Sequence, residues 1–224
     1  MSGWGEFASA WALFLLAHLV PVRRPVKPWL VARIGPSGFG LVYSILSIGI
    51  LAWLFNAASR APHVLLWHMP TGGHWIVFAI TIPAVGLVAL TVGRPNPFSF
   101  GGSRDHLFDP DRPELAAWIR HPVLVALGLW AGAHLIVNGN FAHAIMFSGF
   151  ITFSMFGMVV VDRRKQIEMG RDEWKELCAR SRLAGLTLPP DTGMRLVIGI
   201  CALSSLILGH RWLSGVTIWA RFLP

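Results

Sequence analysis

Six long apolar runs, separated by short polar or proline-rich stretches, set the pattern of this 224-residue chain. They predict helical spans at about 6–20, 38–57, 75–92, 115–137, 141–161 and 194–208, since about 20 apolar residues carry an α-helix across a bilayer. Pro21, Arg23, Arg24, Pro25, Lys27 and Pro28 stop the first run. Trp29 to Ile34 reads as a short interfacial helix, with Trp29 and Arg33 at headgroup level. Asn56 to Arg60 ends the second run, and a loop with His63, Trp67, His68 and His74 follows. Pro83 predicts a kink in the third run, of a kind that a bundle tolerates. The polar loop from Gly93 to Pro113 carries Arg94-Pro95-Asn96-Pro97 and Gly101-Gly102-Ser103-Arg104. Glu114 to Ile119 is a lead-in to the fourth run, which closes on Asn138-Gly139-Asn140. The fifth run is 21 residues without a charge, and Asp162-Arg163-Arg164-Lys165 is expected to end it abruptly. Between the fifth and sixth runs, over about 166–182, Ile167, Trp174, Leu177 and Cys178 fall near one helical face, as in an amphipathic helix on a membrane surface. The sixth run is short, so it is expected to span tilted or to enter part-way, with Arg195 snorkelling at its start. Trp212 to Pro224 reads as an interfacial tail. The expectation is an all-α integral membrane protein: one domain over 1–224, a bundle of about six transmembrane helices with one cytosolic amphipathic helix.

Composition sharpens this. The chain is 54% hydrophobic and only 13% charged, against about 25% charged in a soluble domain. The net charge of +8 is confined to the segments between spans. It therefore speaks for anionic headgroups and topology and not for nucleic acid. With six spans, 16 of the 19 Lys and Arg residues fall on one side, which places that side in the cytosol and both termini outside. No Lys or Arg precedes Arg23, so the first run is expected to be a retained span and not a cleaved signal. Cys178 and Cys201 give no disulfide framework. No phosphate loop, Cys-x-x-Cys pair or His-Glu-x-x-His occurs.

Chemistry rests mainly on histidine. Of nine histidines, His18 and His134 are embedded in apolar helix, where an ionisable group is costly. Neutral imidazole is the commonest metal ligand and also binds haem iron. The plainer reading is a ring bonded to a backbone carbonyl or to a polar neighbour. Depth argues against pairing these two. His134 lies 13 residues beyond His121, about 20 Å of helix, and His18 matches His121 better in depth. His121 is therefore the substitute partner. The Arg120-His121-Pro122 corner is a second candidate, because Pro122 suits a first helical turn. Arg120 and His121 then face an anion or headgroup at the cytosolic interface, or simply cap and anchor the helix. Asp162 is expected to pair with Arg163 or Arg164. Arg94 to Pro97 and Asn138-Gly139 read as turns, and Met155 and Met158 as packing.

His18, Arg33-Ile34-Gly35, Arg120-His121-Pro122, the run from Leu129 to Leu135, Asn138-Gly139-Asn140 and Asp162-Arg163-Arg164 together resemble the NnrU family of bacterial membrane proteins over about residues 8–182. The pattern is also similar to the plant 15-cis-zeta-carotene isomerases. That likeness implies haem b held by two histidines, which match His18 and His134, with Arg120, His121 and Asn138 as further cofactor-binding candidates. It implies isomerase-like or redox activity on an apolar polyene. The plant pattern has a cysteine three residues before the second histidine; here that position is Ala131. The NnrU likeness implies the bacterial inner membrane, a link to denitrification and nitric oxide reductase, and a redox or reductase partner protein. A remoter likeness joins Arg120-His121-Pro122 and the later basic helix to the isoprenylcysteine carboxyl methyltransferases. It implies S-adenosylmethionine at the cytosolic mouth, with Glu168, Glu173 and Glu176 as loose matches. Three function classes stay open: a haem-dependent isomerase, a methyltransferase and a non-enzymatic assembly factor.

Overall fold

The structure, a computed structural model, describes residues 3–100 and 104–214. The predicted interfacial tail, apart from its first three residues, and Gly101 to Ser103 lie outside the described residues. Among the described residues there are seven α-helices, two short 3₁₀ turns and no strand beyond one isolated bridge. The helices are α1 (Gly3–Leu19), α2 (Val26–Arg60), α3 (Gly73–Thr91), α4 (Pro122–Val137), α5 (Phe141–Met169), α6 (Arg171–Ala184) and α7 (Thr192–Ser214). Four of them, α2, α3, α5 and α7, are long and apolar enough to cross a membrane. α1 has 17 residues and α4 has 16. The chain is an all-α protein built for a lipid bilayer.

It divides into two compact units, Met1–His68 with Asn138–Met146, and Met69–Val137 with Phe147–Pro224. In the first unit α1 packs on α2. Glu6 accepts hydrogen bonds from Trp53 Nε1 and from Arg60, tying the start of α1 to the second half of α2. Val26 to Arg60 is helical throughout except at Gly35, with φ 72 and ψ 166. That conformation suits glycine, and the following Pro36 disfavours the helical region for its predecessor. The break separates the short cationic helix read from the sequence from the apolar span. Near the other end, Leu65 bridges to Asn140, and Leu66 N donates to Gly139 O at 2.7 Å. Asn140 Oδ1 then accepts from Ala142 N at 2.9 Å, a side-chain cap that starts α5.

In the second unit α3 contacts both α4 and α7. α3 continues through Pro83. α4 begins only at Pro122, so the expected lead-in from Glu114 is a separate 3₁₀ turn, Glu114–Ala117. α5 runs on to Met169, through the charged residues expected to end it. Charge by itself does not break a helix; Gly170, with φ 95, does. The amphipathic helix therefore starts at Arg171 and reaches Ala184, where Gly185 takes φ 80. α7 is also longer than expected, at 23 residues. Arg195 is anchored within the protein. It pairs with Asp191 at 2.9 Å and donates to Ala89 O and Val92 O at the end of α3, satisfying carbonyls that a helix terminus leaves open.

Candidate functional site

The second unit holds a polar cluster where α4 begins. Pro122 contributes no N–H and takes the first helical position, and it pushes the preceding His121 out of the helical region. Arg120 forms a two-point pair with Asp162, Nη2 to Oδ2 at 2.9 Å and Nε to Oδ1 at 3.3 Å. His121 is 4% exposed. Its Nε2 lies 2.9 Å from Asp162 Oδ1 and its Nδ1 3.4 Å from Ser99 Oγ. A carboxylate only accepts, so Nε2–H donates to Asp162 and Nδ1 is left to accept from the Ser99 hydroxyl. Asn96 Nδ2 holds the Arg120 carbonyl at 2.9 Å, and its Oδ1 takes Phe98 N at 3.1 Å. The Arg120 guanidinium also lies over the Trp174 ring of α6, 5.4 Å from its centroid.

Asp162 therefore bonds 41 and 42 residues back along the chain and not to its neighbour Arg163. Arg164 pairs instead with Glu168, one turn on. The correction has a geometric cause, because adjacent helical residues point about 100° apart and do not face each other. The Arg94 turn is likewise more than a turn: Arg94 pairs with Glu114, and Asn96 bridges to the Arg-His-Pro corner.

Burial pushes the His121 imidazole below its usual range, with the Asp162 bond opposing. The Asp162 bond holds the Arg120 guanidinium charged. Burial pushes the nearby Cys178 thiol up. The cluster is thus a neutral histidine and a permanent ion pair, with both ring nitrogens of His121 committed. It ties the start of α4 to α5 and leaves His121 poorly placed to serve as an iron ligand. An open cleft of ≈ 400 Å³ lies beside it, lined by Pro97, Asp105, Phe108, Lys165 and Leu177 among others, with Lys165 paired to Asp105.

His134 sits well along α4 from this cluster. Its Nδ1 lies 2.8 Å from Trp130 O, and its ring contacts Trp130 and Phe147 at 4.8 and 5.4 Å. His18 belongs to the first unit, near the end of α1. Its Nδ1 lies 2.8 Å from Phe14 O, with Phe14 at 4.2 Å and Tyr43 at 6.0 Å between ring centroids. In both rings Nδ1 must carry the proton, since a carbonyl only accepts, and the lone pair then belongs to Nε2. Asn138 falls in the irregular turn after α4 and groups with the first unit. The structure thus gathers Arg120 and His121 on Asp162, and gives His134 and His18 each an aromatic setting within its own unit.

Ser99, Asn96 and Asp162 are the site residues that sequence reasoning missed. The one available signal was Asp162 itself, a carboxylate at the end of the fifth apolar run. Among the described residues no group of three or more His, Cys, Asp or Glu side chains is arranged to hold a metal ion. A haem iron needs only one or two protein ligands. A ligating histidine characteristically donates its other ring N–H to a backbone carbonyl or a carboxylate, and His18 and His134 both do so.

A family model described as NnrU protein matches residues 6–218. No curated protein and no solved structure matches the chain.

Proposed function

The chain belongs to the NnrU protein family, and on that premise we propose that it is a haem-b protein of the bacterial inner membrane, with His18 and His134 each a candidate iron ligand and isomerase-like or redox activity on an apolar polyene. One observation supports the cofactor: both embedded histidines donate Nδ1–H to the carbonyl one turn back in their own helix, at 2.8 Å in each case, a bond that a ligating histidine and a purely packed one both make. That bond selects the tautomer whose Nε2 is the ligating nitrogen and holds the ring plane. The rings beside each histidine, Phe14 and Tyr43 at His18 and Trp130 and Phe147 at His134, would give a porphyrin held there an apolar surface. When bound, haem supplies one-electron exchange or polarisation of a conjugated chain. The polyene and a reductase partner rest on the family resemblance, and the multi-pass topology with a periplasmic N-terminus rests on the charge count.

The S-adenosylmethionine reading needs Arg120 and His121 open at the cytosolic mouth. Both are engaged by Asp162, so the haem reading is preferred.

The test is an absorption spectrum of the detergent-purified chain, with and without reductant. The reading expects a Soret band that shifts on reduction. It expects that band to be lost in His134→Ala and its ligand field to change in His18→Ala. A purified chain that takes up no haem b on reconstitution, or an unaltered spectrum in both variants, overturns it.

A further inference from the structure

The charges of the first unit are distributed one-sidedly. Between Phe7 and Arg104 the sequence contains no Asp or Glu. The unit's single acid, Glu6, is paired with Arg60. That leaves Arg23, Arg24, Lys27 and Arg33 within eleven residues. Among the described residues no carboxylate lies within ion-pair distance of any of the four. Two of them have aromatic contacts: the Arg33 guanidinium lies 3.8 Å from the Trp29 ring centroid, and Lys27 Nζ lies 6.0 Å from that of Phe39. Stacking leaves the N–H edge of a guanidinium directed outward.

The same segment exposes apolar surface. Trp29 is 53% exposed and Ile34 is 45% exposed. Beyond the break at Gly35, Leu41, Ile45 and Ile48 recur at helical spacing and are all strongly exposed. Cations without counter-ions, with Trp29 among them, therefore precede an apolar wall, from the turn before α2 into the helix beyond Gly35. A soluble acidic protein would match the charges and leave the apolar wall uncovered. A phospholipid matches both.

We propose that Arg23, Arg24, Lys27 and Arg33, with Trp29, form a binding site for an anionic phospholipid, its phosphate on the guanidinium edges and its acyl chains along Leu41, Ile45 and Ile48. The site selects phosphatidylglycerol-type over zwitterionic headgroups, which positive-inside topology alone does not require. Charge-assisted bonds from arginine to phosphate supply the contact, and each cation near an anionic surface contributes about fivefold in binding.

The test uses the full chain, stripped of lipid in detergent and then offered phosphatidylglycerol or phosphatidylcholine with matched acyl chains, with bound lipid read by native mass spectrometry. The wild type is expected to retain phosphatidylglycerol at least about tenfold better, on the scale set by several cations acting together. The variant R23Q/R24Q/K27Q/R33Q is expected to retain the two lipids equally, and R23K/R24K/R33K to keep most of the preference. Should the neutral variant fail to insert, the wild type in about 1 M salt decides, since screening over about 3 Å collapses a headgroup preference. Equal retention of both lipids by the wild type, or a preference unmoved by salt, overturns the proposal.

Discussion

His121 Nε2 and Asp162 Oδ1 meet at 2.9 Å across 41 residues of chain, joining the residue before α4 to the second half of α5. The same carboxylate holds Arg120. One acid thus serves two partners, and the start of α4 is fixed from the side as well as along its own axis.

Asp162→Ala is expected to cost about 2–4 kcal/mol, a figure reduced from that of a fully buried pair because Arg120 and Asp162 are partly solvated. Arg163→Ala, beside it in sequence, is expected to cost less than about 0.5 kcal/mol. Thermal unfolding of the two variants in the same detergent checks the ordering. Equal losses would return Asp162 to its neighbour.

Acidification is expected to destabilise the second unit. Burial depresses the folded-state pKa of His121, so below about 6.5 the unfolded chain takes up a proton that the folded chain refuses. The contribution is fully present above that pH and is lost as pH falls toward the depressed folded value. A melting curve followed from pH 8 to pH 5 should show the decline in the wild type. His121→Asn, which has no proton to gain at this position, should flatten it.

Two glycines separate close approach from tolerance. A Cβ on Gly139 would fall 1.7 Å from the Trp67 carbonyl oxygen, whereas one on Gly132 of α4 meets nothing within 4 Å. Gly139→Ala should force the Leu66 and Gly139 segments apart and cost about 3 kcal/mol, at the upper end for overpacking. Gly132→Ala should be neutral, or stabilise by up to about 1 kcal/mol through helix propensity. Comparative unfolding and expression yield measure the contrast.

For the haem reading, replacing a ligating imidazole with a cavity gives a specific signature. His134→Gly should lose its Soret band and regain it on adding free imidazole. His121→Gly should keep its spectrum throughout, because both nitrogens of that ring are bonded within the protein. Imidazole-dependent recovery in His121→Gly instead would reassign the ligand.

The helices were legible because bilayer-length apolar runs have few other uses, and each predicted run falls on a helix. Their ends were less legible. Residues 162–169 are polar yet continue α5, because solvated charged side chains leave the backbone ladder intact and only Gly170 interrupts it. Arg120 and His121 were visible as candidates from their place before Pro122. Their partner was not. Sequence adjacency favoured Arg163 or Arg164 for Asp162, while helical geometry turns the carboxylate toward the residues preceding α4. The embedded positions of His18 and His134 were also legible. Their bonds to Phe14 O and Trp130 O follow from ring rotamers, which the sequence does not report.

The hold of Arg195 on the last carbonyls of α3 bears on the order of assembly. α3 is synthesised more than a hundred residues before the arginine that satisfies Ala89 O and Val92 O. Until α7 inserts, those carbonyls depend on interfacial water. Arrival of α7 then acts as a latch. It fixes the register of α7 against α3, because a slide by one turn would leave both carbonyls without their donor. A nascent chain stopped before Asp191 should therefore leave an α3 that is membrane-inserted and still accessible to water at its end.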